Sequence, residues 1–485
     1  MGKEITYKLT RYFCYIGYFA LLLNSLLGIG DGYDEVEHCH AAWLIGKAGL
    51  LPIRDFFQHH QPILWDLLKL YYLFGGDGPE VLYFGRVLVC IAVLAIIVSL
   101  TRMARPQPPE RPLIYSGALA VSLIFATQKL LPTVFVIRPE TVGGAFALTS
   151  VFLWTRNRTG WLCAHPVVRD IAAGIFFGLS VYSSARFILF AGIYLLLNEG
   201  NLLREFRVYF SRYFVFVAAA LAAVVAYSQV SRVPLRYFAY ELSFSAHLQH
   251  VGTTTFSAVR PMEYLFAFAA IVLLFVFWLL PQTFQLRYLL MLLYCLGAVA
   301  ITVLSWGNFP YGHNCVVPLL LATIVIAWAE SRLRWNPFAL RSATVAVSAI
   351  VVLFVVMLEV HAARHQSIIG AVARMHGQLD YLRPGDRVLL SPLDHPISAP
   401  DASYYGLPLV DFDNRTCLAV ATYRSNFQLP PCSYLEVTRT RPPVMIDKVL
   451  LRNDASLHIQ RGTVVDTFGH TYREINDGIY LLDRQ

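Results

Sequence analysis

Carboxylates, imidazoles and a guanidinium crowd into one short stretch of this chain. Asp31-Gly-Tyr-Asp34-Glu35-Val-Glu37-His38-Cys-His40 is followed closely by Leu-Pro-Ile-Arg54-Asp55-Phe-Phe-Gln-His59-His60-Gln-Pro62. A carboxylate beside a substrate hydroxyl can act as a general base. An imidazole can hold a phosphate, orient a carboxylate or ligate a metal. On a helix Glu35 meets His38 at i,i+3 and Asp34 meets it at i,i+4, so carboxylate and imidazole converge on one face. The structural alternative is a capping box, Asp34-x-x-Glu37, at a helix N-terminus that favours acids. That accounts for Asp34 and Glu37 but leaves the imidazoles unexplained. Asp55 has its own structural alternative in pairing with Arg54. His59 and His60 are adjacent and point in different directions, so at most one of them faces a site.

Further along, Arg138-Pro139-Glu140 opens an apolar segment, and Arg186 follows another in Val181-Tyr-Ser-Ser-Ala-Arg186-Phe. Snorkelling arginines and a capping glutamate are the structural reading. The functional reading is an ionisable pair kept at a membrane edge and an arginine opposite a phosphate. Trp306-Gly-Asn-Phe-Pro-Tyr311-Gly-His313-Asn314 is a short polar loop that adds Tyr311 and His313. His-Glu-x-x-His, P-loop, dinucleotide-glycine and Gly-x-Ser-x-Gly patterns are absent. The spacing of His38, His40, His59 and His60 matches no established zinc pattern.

The elements that must position these residues are membrane helices. Hydrophobic residues make up 56% of 485 and charged residues 14%, against roughly 25% charged in soluble proteins. Segments near 20 apolar residues cross a hydrocarbon core of about 30 Å. About eleven spans are predicted, near 12–30, 84–101, 113–130, 141–155, 170–185, 187–198, 209–228, 264–280, 288–306, 315–330 and 343–360, by hydropathy and length. The pair 170–185 and 187–198 is short enough to form a half-buried hairpin. No small-residue cleavage site follows the first span, which is read as retained. Loops bearing Arg102, Arg105 and Arg111, Arg156, Arg158 and Arg169, Arg204 and Arg207, and Arg332, Arg334 and Arg341 fall on the side of the basic N-terminus. By the positive-inside rule that side is cytoplasmic. The acidic–histidine loop, the loop 231–263 and the C-terminal tail then lie outside. The net charge of +8 calls for no nucleic-acid partner, because the basic residues collect in loops between spans.

Residues 31–83 are expected to form an outer loop with two surface helices. One follows Asp34; the other runs Ile63–Phe74, with Pro62 in its first turn and Gly75-Gly76-Asp77-Gly78-Pro79 as its stop. After about residue 361 Pro, Asp and Arg become frequent, and Arg387-Val-Leu-Leu-Ser and Lys448-Val-Leu-Leu-Arg read as strands. The fold class is thus a polytopic α-helical membrane protein. Residues 1–360 form its transmembrane domain and 361–485 a small outer α/β domain. Cys417 and Cys432 both fall in that outer domain, where an oxidising compartment permits a disulfide.

The arrangement resembles the GT-C class of membrane glycosyltransferases, in particular the protein O-mannosyltransferase-like enzymes and the aminoarabinose transferase of lipid A. Asp34-Glu35 opens the first outer loop. Gly49-Leu-Leu-Pro-Ile-Arg54-Asp55-Phe-Phe-Gln-His59-His60-Gln-Pro62 resembles the GLxPYRDxxxHxPP stretch of that class. Ile137-Arg138-Pro139-Glu140 resembles its second acidic motif, with Glu140 at a position usually occupied by Asp. His60 stands where the aminoarabinose transferase has Lys. Phe309-Pro-Tyr311-x-His313 followed by Pro318 resembles its late loop.

The resemblance implies an inverting transfer from a polyprenyl-phosphate-linked sugar to a glycan, lipid or protein acceptor, on the outer side of a bacterial inner membrane. Asp34 would be the base, and Glu35 would orient it or bind the acceptor. His60, Arg138 and Arg186 would face the donor phosphate. Glu140 would orient Arg138 or the sugar, or share a divalent cation with Asp34; some members of the class need a metal and others do not. His38, Asp55, His59, Tyr311 and His313 would shape the acceptor site. Two other classes compete: a transporter or lipid translocase, which calls for internal repeats and broken spans with midplane charges, and a membrane-embedded metal hydrolase using the histidines.

Overall fold

The computed structural model describes residues 33–52, 60–103, 136–155, 165–197, 206–236, 286–306, 316–330, 368–383, 444–447, 457–460, 463–466, 469–476 and 479–483, together with residues 16, 19, 22, 23, 26, 238, 386, 388, 389 and 397. The chain divides into two compact units. One comprises 1–28, 87–235 and 256–365; the other comprises 29–86, 236–255 and 366–485.

In the unit that holds residues 29–86, helix α1 (Tyr33–Gly46) packs on α2 (Ile63–Leu73). Val36, Cys39 and Leu44 on α1 and Leu64, Trp65 and Leu68 on α2 are buried. The backbones approach closely: a Cβ on Gly46 would lie 3.0 Å from Lys69 Cγ. Pro62 sits one position earlier than its sequence reading, as the N-cap of α2, with its carbonyl accepting the Asp66 N–H at 2.9 Å. The helix stops because Gly75 takes φ +89°, which glycine adopts without steric cost, and donates its N–H to the Tyr72 carbonyl. The next helix, α3 (Val81–Met103), begins in this unit.

The C-terminal part of the same unit contains α9 (Ile368–Leu379) and a six-stranded sheet. Its strands are β1 (Val388–Leu389), β2 (Met445–Asp447), β3 (Leu457–Gln460), β4 (Thr463–Asp466), β5 (Thr471–Asn476) and β6 (Ile479–Leu482), in the order β1-β2-β6-β5-β4-β3. Only β1 and β2 pair in parallel. Val388, Met445 and Ile479 form a small core against Leu382, Ile475 and Leu481. The strand expected in Arg387-Val-Leu-Leu-Ser is β1. The one expected at Lys448–Arg452 is preceded by β2, and residues 448–452 lie outside the described residues, as do Cys417 and Cys432.

The other unit is helical. It contains the rest of α3, α4 (Pro139–Thr155), α5 (Pro166–Ser183), α6 (Phe206–Ser231), α7 (Leu286–Trp306) and α8 (Val316–Glu330). These helices fall on the predicted spans 84–101, 141–155, 170–185, 209–228, 288–306 and 315–330. The predicted spans 113–130, 264–280 and 343–360 lie outside the described residues, and of 12–30 only residues 16, 19, 22, 23 and 26, all helical, are described. Among the described residues, α3 and Arg207–Ser231 of α6 are long and apolar enough to cross a bilayer, with mean hydropathies of 2.7 and 1.9.

Of the predicted span 187–198, residues 187–197 are described, and they do not form one regular α-helix. Ser184 is extended (φ −153°, ψ 124°) and ends α5; a 3-10 helix, Ala185–Phe190, and a single turn, Ile193–Leu196, follow. The hydroxyl of Tyr294 on α7 accepts the Gly192 N–H at 3.0 Å and donates to the Leu189 carbonyl. A side chain there takes up groups that a continuous helix would pair internally.

α5 packs on both α4 and α6. Gly174 and Gly178, one turn apart on α5, admit α6: a Cβ on either would lie 2.2 Å from the Phe216 carbonyl oxygen or 2.4 Å from that of Ala220. Small residues four apart permit this close approach, and hydrogen bonds replace the missing hydrophobic drive between membrane helices. Ser150 Oγ donates to the Ala173 carbonyl at 2.6 Å, and Ser180 Oγ to that of Gly143 at 2.8 Å. At one end of α5, Asp170 accepts two N–H bonds from Arg212 of α6 at 2.8 and 3.0 Å, and Arg212 lies 4.6 Å over the Trp154 ring of α4.

Replacing Gly178 with Leu is expected to destabilise the helical unit by about 2 kcal/mol or more, because a packed backbone carbonyl cannot yield. Thermal unfolding of the detergent-purified protein checks this, with Gly297→Ala on α7, where a Cβ meets nothing within 4 Å, as the neutral control.

Candidate active site

The sequence-predicted residues fall into two groups, one in each unit. In the helical unit, Pro139 is the first residue of α4, where its fixed φ suits a helix start, and Glu140 lies in the first turn, where an acid is favoured. The Thr141 hydroxyl donates to the Val136 carbonyl at 2.8 Å and fixes the chain entering the helix. At the far side of the loop, the break at Ser184 turns the chain so that Arg186 stands on the 3-10 helix. Phe187 packs against Gly143, where a Cβ would come within 2.5 Å of the ring.

These features bring Arg138, Glu140 and Arg186 together. Arg138 Nε donates to Glu140 Oε2 at 3.3 Å and Arg186 Nη1 to Oε1 at 2.8 Å. Arg138 and Glu140 are buried and the Arg186 side chain is 19% exposed. Two guanidinium ions against one carboxylate leave a net positive charge among the three. Both oxygens of Glu140 accept from arginine, which suits it to aiming cations rather than to taking a proton from a substrate.

In the other unit, Asp34 lies in the first turn of α1 and its side chain is outside the described residues. Glu35 is buried and accepts from Arg86 Nη2 of α3. His38 is buried one turn after Glu35, and Trp65 Nε1 of α2 donates to its Nδ1 at 3.0 Å. His60 stands just before α2, with its ring centroid 4.8 Å from that of His38. His40 is also buried, and its Nδ1 donates to the Ile397 carbonyl at 2.6 Å. Burial pushes the Cys39 thiol well above its usual range; the Glu35 charge adds to this and Arg86 partly offsets it. Asp55, His59, Tyr311 and His313 lie outside the described residues.

Glu35 and His38 therefore each have a partner beyond their own helix. Neither Arg86 nor Trp65 was singled out from the sequence. Arg86 carried a signal, being a charge near the start of a predicted span. Trp65 carried none, because an indole in an apolar helix reads as core. Among the described residues, no three of His, Cys, Asp or Glu are grouped to share a metal ion.

No family model and no curated protein matches the chain. Solved structures do. The crystal structure of ArnT from Cupriavidus metallidurans bound to undecaprenyl phosphate aligns with a TM-score of 0.58 at 13% identity, covering 98% of this chain and 97% of that one. ArnT from the same organism in the apo state aligns with a TM-score of 0.56 at 12% identity, covering 95% and 96%. At this identity the fold is what is shared. It is the fold of a lipid A aminoarabinose transferase, a GT-C glycosyltransferase, and that of a polytopic helical membrane protein.

Two outcomes are expected of this geometry. Arg86→Leu leaves the Glu35 carboxylate buried without its guanidinium and costs about 3–5 kcal/mol, and Glu35→Leu/Arg86→Leu recovers part of the loss. A double-mutant cycle by thermal unfolding checks it, and simple additivity of the two single losses would contradict the coupling. A soluble maleimide at pH 7–8.5 is expected to leave Cys39 unmodified in the folded protein, since a buried thiol with a raised pKa presents little thiolate; peptide mass spectrometry reads the site before and after unfolding.

Proposed function

We propose that this protein is an inverting glycosyltransferase that moves a hexosyl or pentosyl group from a polyprenyl-phosphate-linked donor to an envelope glycan, lipid or protein. It acts on the outer side of a bacterial inner membrane. The observation that carries this reading is the Arg138–Glu140–Arg186 arrangement, at a motif resembling the second acidic motif of GT-C enzymes. It occurs in a chain whose fold matches, nearly end to end, a transferase crystallised with undecaprenyl phosphate. On this reading the chain has about eleven spans, with the N-terminus cytoplasmic and residues 31–83 and 361–485 outside, an orientation supported by the arginines collected in the opposite loops.

In this mechanism Asp34 removes the proton of the acceptor hydroxyl as its oxygen attacks the anomeric carbon. The bond between that carbon and the phosphate oxygen breaks, and the electron pair leaves with the lipid phosphate. Arg138, Arg186 and His60 stabilise the charge on that leaving group. Glu140 spaces and aims the two arginines. A divalent cation on Glu140 would compete with two guanidinium ions for one carboxylate, so the residues present fit arginine positioning better than metal ligation. Glu35, tied to Arg86, fixes the start of α1 and with it the backbone that carries Asp34. Asp55, His59, Tyr311 and His313 shape the acceptor side, and His38 helps to shape the site.

The test compares envelope glycolipids and glycans by mass spectrometry in cells carrying the wild type, no copy, Asp34→Asn or Arg186→Met at matched membrane levels. Deletion and Asp34→Asn are expected to lose the same sugar-sized increment while its polyprenyl-phosphate donor accumulates. Arg186→Met should slow transfer about 100-fold or more, the usual cost of removing one charge-stabilising donor. If Asp34→Asn keeps the wild-type profile while deletion changes it, Asp34 is a capping residue. If no glycan changes in any strain, the transferase reading falls and a lipid translocase takes its place.

A further inference from the structure

His38 and His60 form an imidazole pair in the unit that holds α1 and α2. Their ring centroids are 4.8 Å apart and their planes are tilted by 57°. Two positive charges that close oppose each other, so the pair carries one readily and two only at a cost. The contacts of His38 decide whether it can take that charge.

Trp65 settles that for His38. An indole N–H can only donate, so the Nδ1 that receives it at 3.0 Å is an unprotonated acceptor. The ring proton of His38 is then on Nε2. Protonating Nδ1 would set N–H against N–H in a place where His38 and Trp65 are both fully buried. His40, two residues on, shows the contrast: its Nδ1 faces the Ile397 carbonyl, which only accepts, so there the proton sits on Nδ1. Neighbouring histidines of one helix are thus fixed in opposite tautomers by opposite partners.

We propose that Trp65 holds His38 in its uncharged Nε2–H form, so that the positive charge of the pair resides on His60, where it meets the lipid phosphate of the donor. His38 is on this view a positioning residue, acting through His60. The proposal rests on the transferase reading for the identity of the anion, and on the Trp65–His38–His60 geometry for the placement of the charge. The other charged and titratable groups on these elements are Tyr33, Asp34, Glu35, Glu37, Cys39 and His40 on α1, Asp66, Lys69, Tyr71 and Tyr72 on α2, and Tyr83, Arg86, Cys90 and Arg102 on α3. Glu35 is neutralised by Arg86, and Asp66 is paired with Lys69 at 2.6 Å. In the transferase, a singly charged His60 supplies a cation that a lysine at this position would supply permanently, and makes donor binding fall as pH rises.

The experiment measures binding of undecaprenyl phosphate to the full-length protein in nanodiscs between pH 5.5 and 8.5. Wild-type affinity is expected to fall as pH rises, and His60→Gln to remove that dependence. Trp65→Phe keeps a ring but no donor; it releases Nδ1 of His38 to compete for the proton. It is expected to weaken binding at the acid end about tenfold, the loss of one charge-assisted hydrogen bond. Adding His38→Asn to Trp65→Phe should restore the wild-type profile, because Asn cannot take the charge; a merely misfolded Trp65→Phe protein would not be rescued. Wild-type behaviour in Trp65→Phe, or no rescue in the double variant, overturns the proposal. The ¹⁵N shifts of labelled histidine, assigned with His38 and His60 variants, separate the two premises. An Nδ1 of His38 that titrates in the wild type overturns the charge placement whatever the ligand. A fixed His38 in a protein that does not bind undecaprenyl phosphate overturns the donor assignment alone.

Discussion

A carboxylate taken out of water inside a largely apolar chain must meet a cation, and much of this structure follows from that requirement. Glu35 is held by Arg86, Glu140 by Arg138 and Arg186, and Asp170 by Arg212. Glu35 and Glu140 stand near the start of their helices, where the helix dipole adds to the attraction, and Asp170 stands one turn further in. In each case an arginine comes from a separate element. An ion pair of this kind adds little net stability relative to a packed apolar pair. What it does impose is register, since sliding one helix past another by a turn would strand a charge.

The helix contacts obey the same constraint in uncharged form. Ser150, Ser180 and Tyr294 give their hydroxyls to backbone carbonyls of neighbouring segments, and Tyr194 donates to Ser150 at 2.7 Å. Gly174 and Gly178 let α6 approach closely enough for its carbonyls to touch α5. With apolar burial unable to distinguish a helix neighbour from a lipid chain, these polar and small-residue contacts select which helices pair. They also fix where the chain may break. Ser184 ends α5 and Tyr294 stabilises the irregular segment beyond it, so that Arg186 arrives at Glu140 on a tight turn instead of the side of a long helix.

The helices were legible in the sequence because a hydrophobic run has a length and ends at a polar loop. That rule placed α3 through α8 within a few residues. It placed the apolar helical segment Ala185–Leu196 but missed its irregular form, since hydropathy registers Ile188 or Leu195 but not an extended Ser184 or a competing tyrosine about a hundred residues away. Helix α2 was legible from Pro62 and the glycines after Phe74. That Glu140 and Arg186 would have charged partners was legible from charges out of place in apolar surroundings, and Glu35 and His60 stood out through their motif context. The identities of distant partners were less legible. Arg86 lies 51 residues from Glu35 and Trp65 lies 27 from His38, and no local spacing rule reaches that far. The sheet order was not legible either: β1 pairs β2 across a gap of more than fifty residues, and short strands leave register to tertiary contacts.

The two ends of the α4–α5 pair show why similar ingredients point to different roles. Each end has one buried carboxylate and two arginines. At Asp170, Arg212 uses Nε and Nη2 together on the same carboxylate and lays its face over Trp154, while Arg169 reaches Asp170 at 3.4 Å. A fork-to-fork bond with a stacked ring consumes the directional capacity of that guanidinium, and its effect is to staple three helices. At Glu140 the carboxylate is shared instead: one N–H from Arg138 and one from Arg186, on different oxygens. A guanidinium has five N–H groups in a fixed plane, so each of these arginines commits only a small part of its donors to Glu140 while being held in direction by it. A carboxylate that binds two arginines through different oxygens holds both guanidinium ions in direction, and pre-aligned cations of this kind are what our proposed reading asks of groups facing an anionic leaving group. The staple end lacks that property, though its net charge is the same. The distribution of hydrogen bonds, more than the inventory of charges, therefore separates the structural cluster from the one to which we assign the donor phosphate.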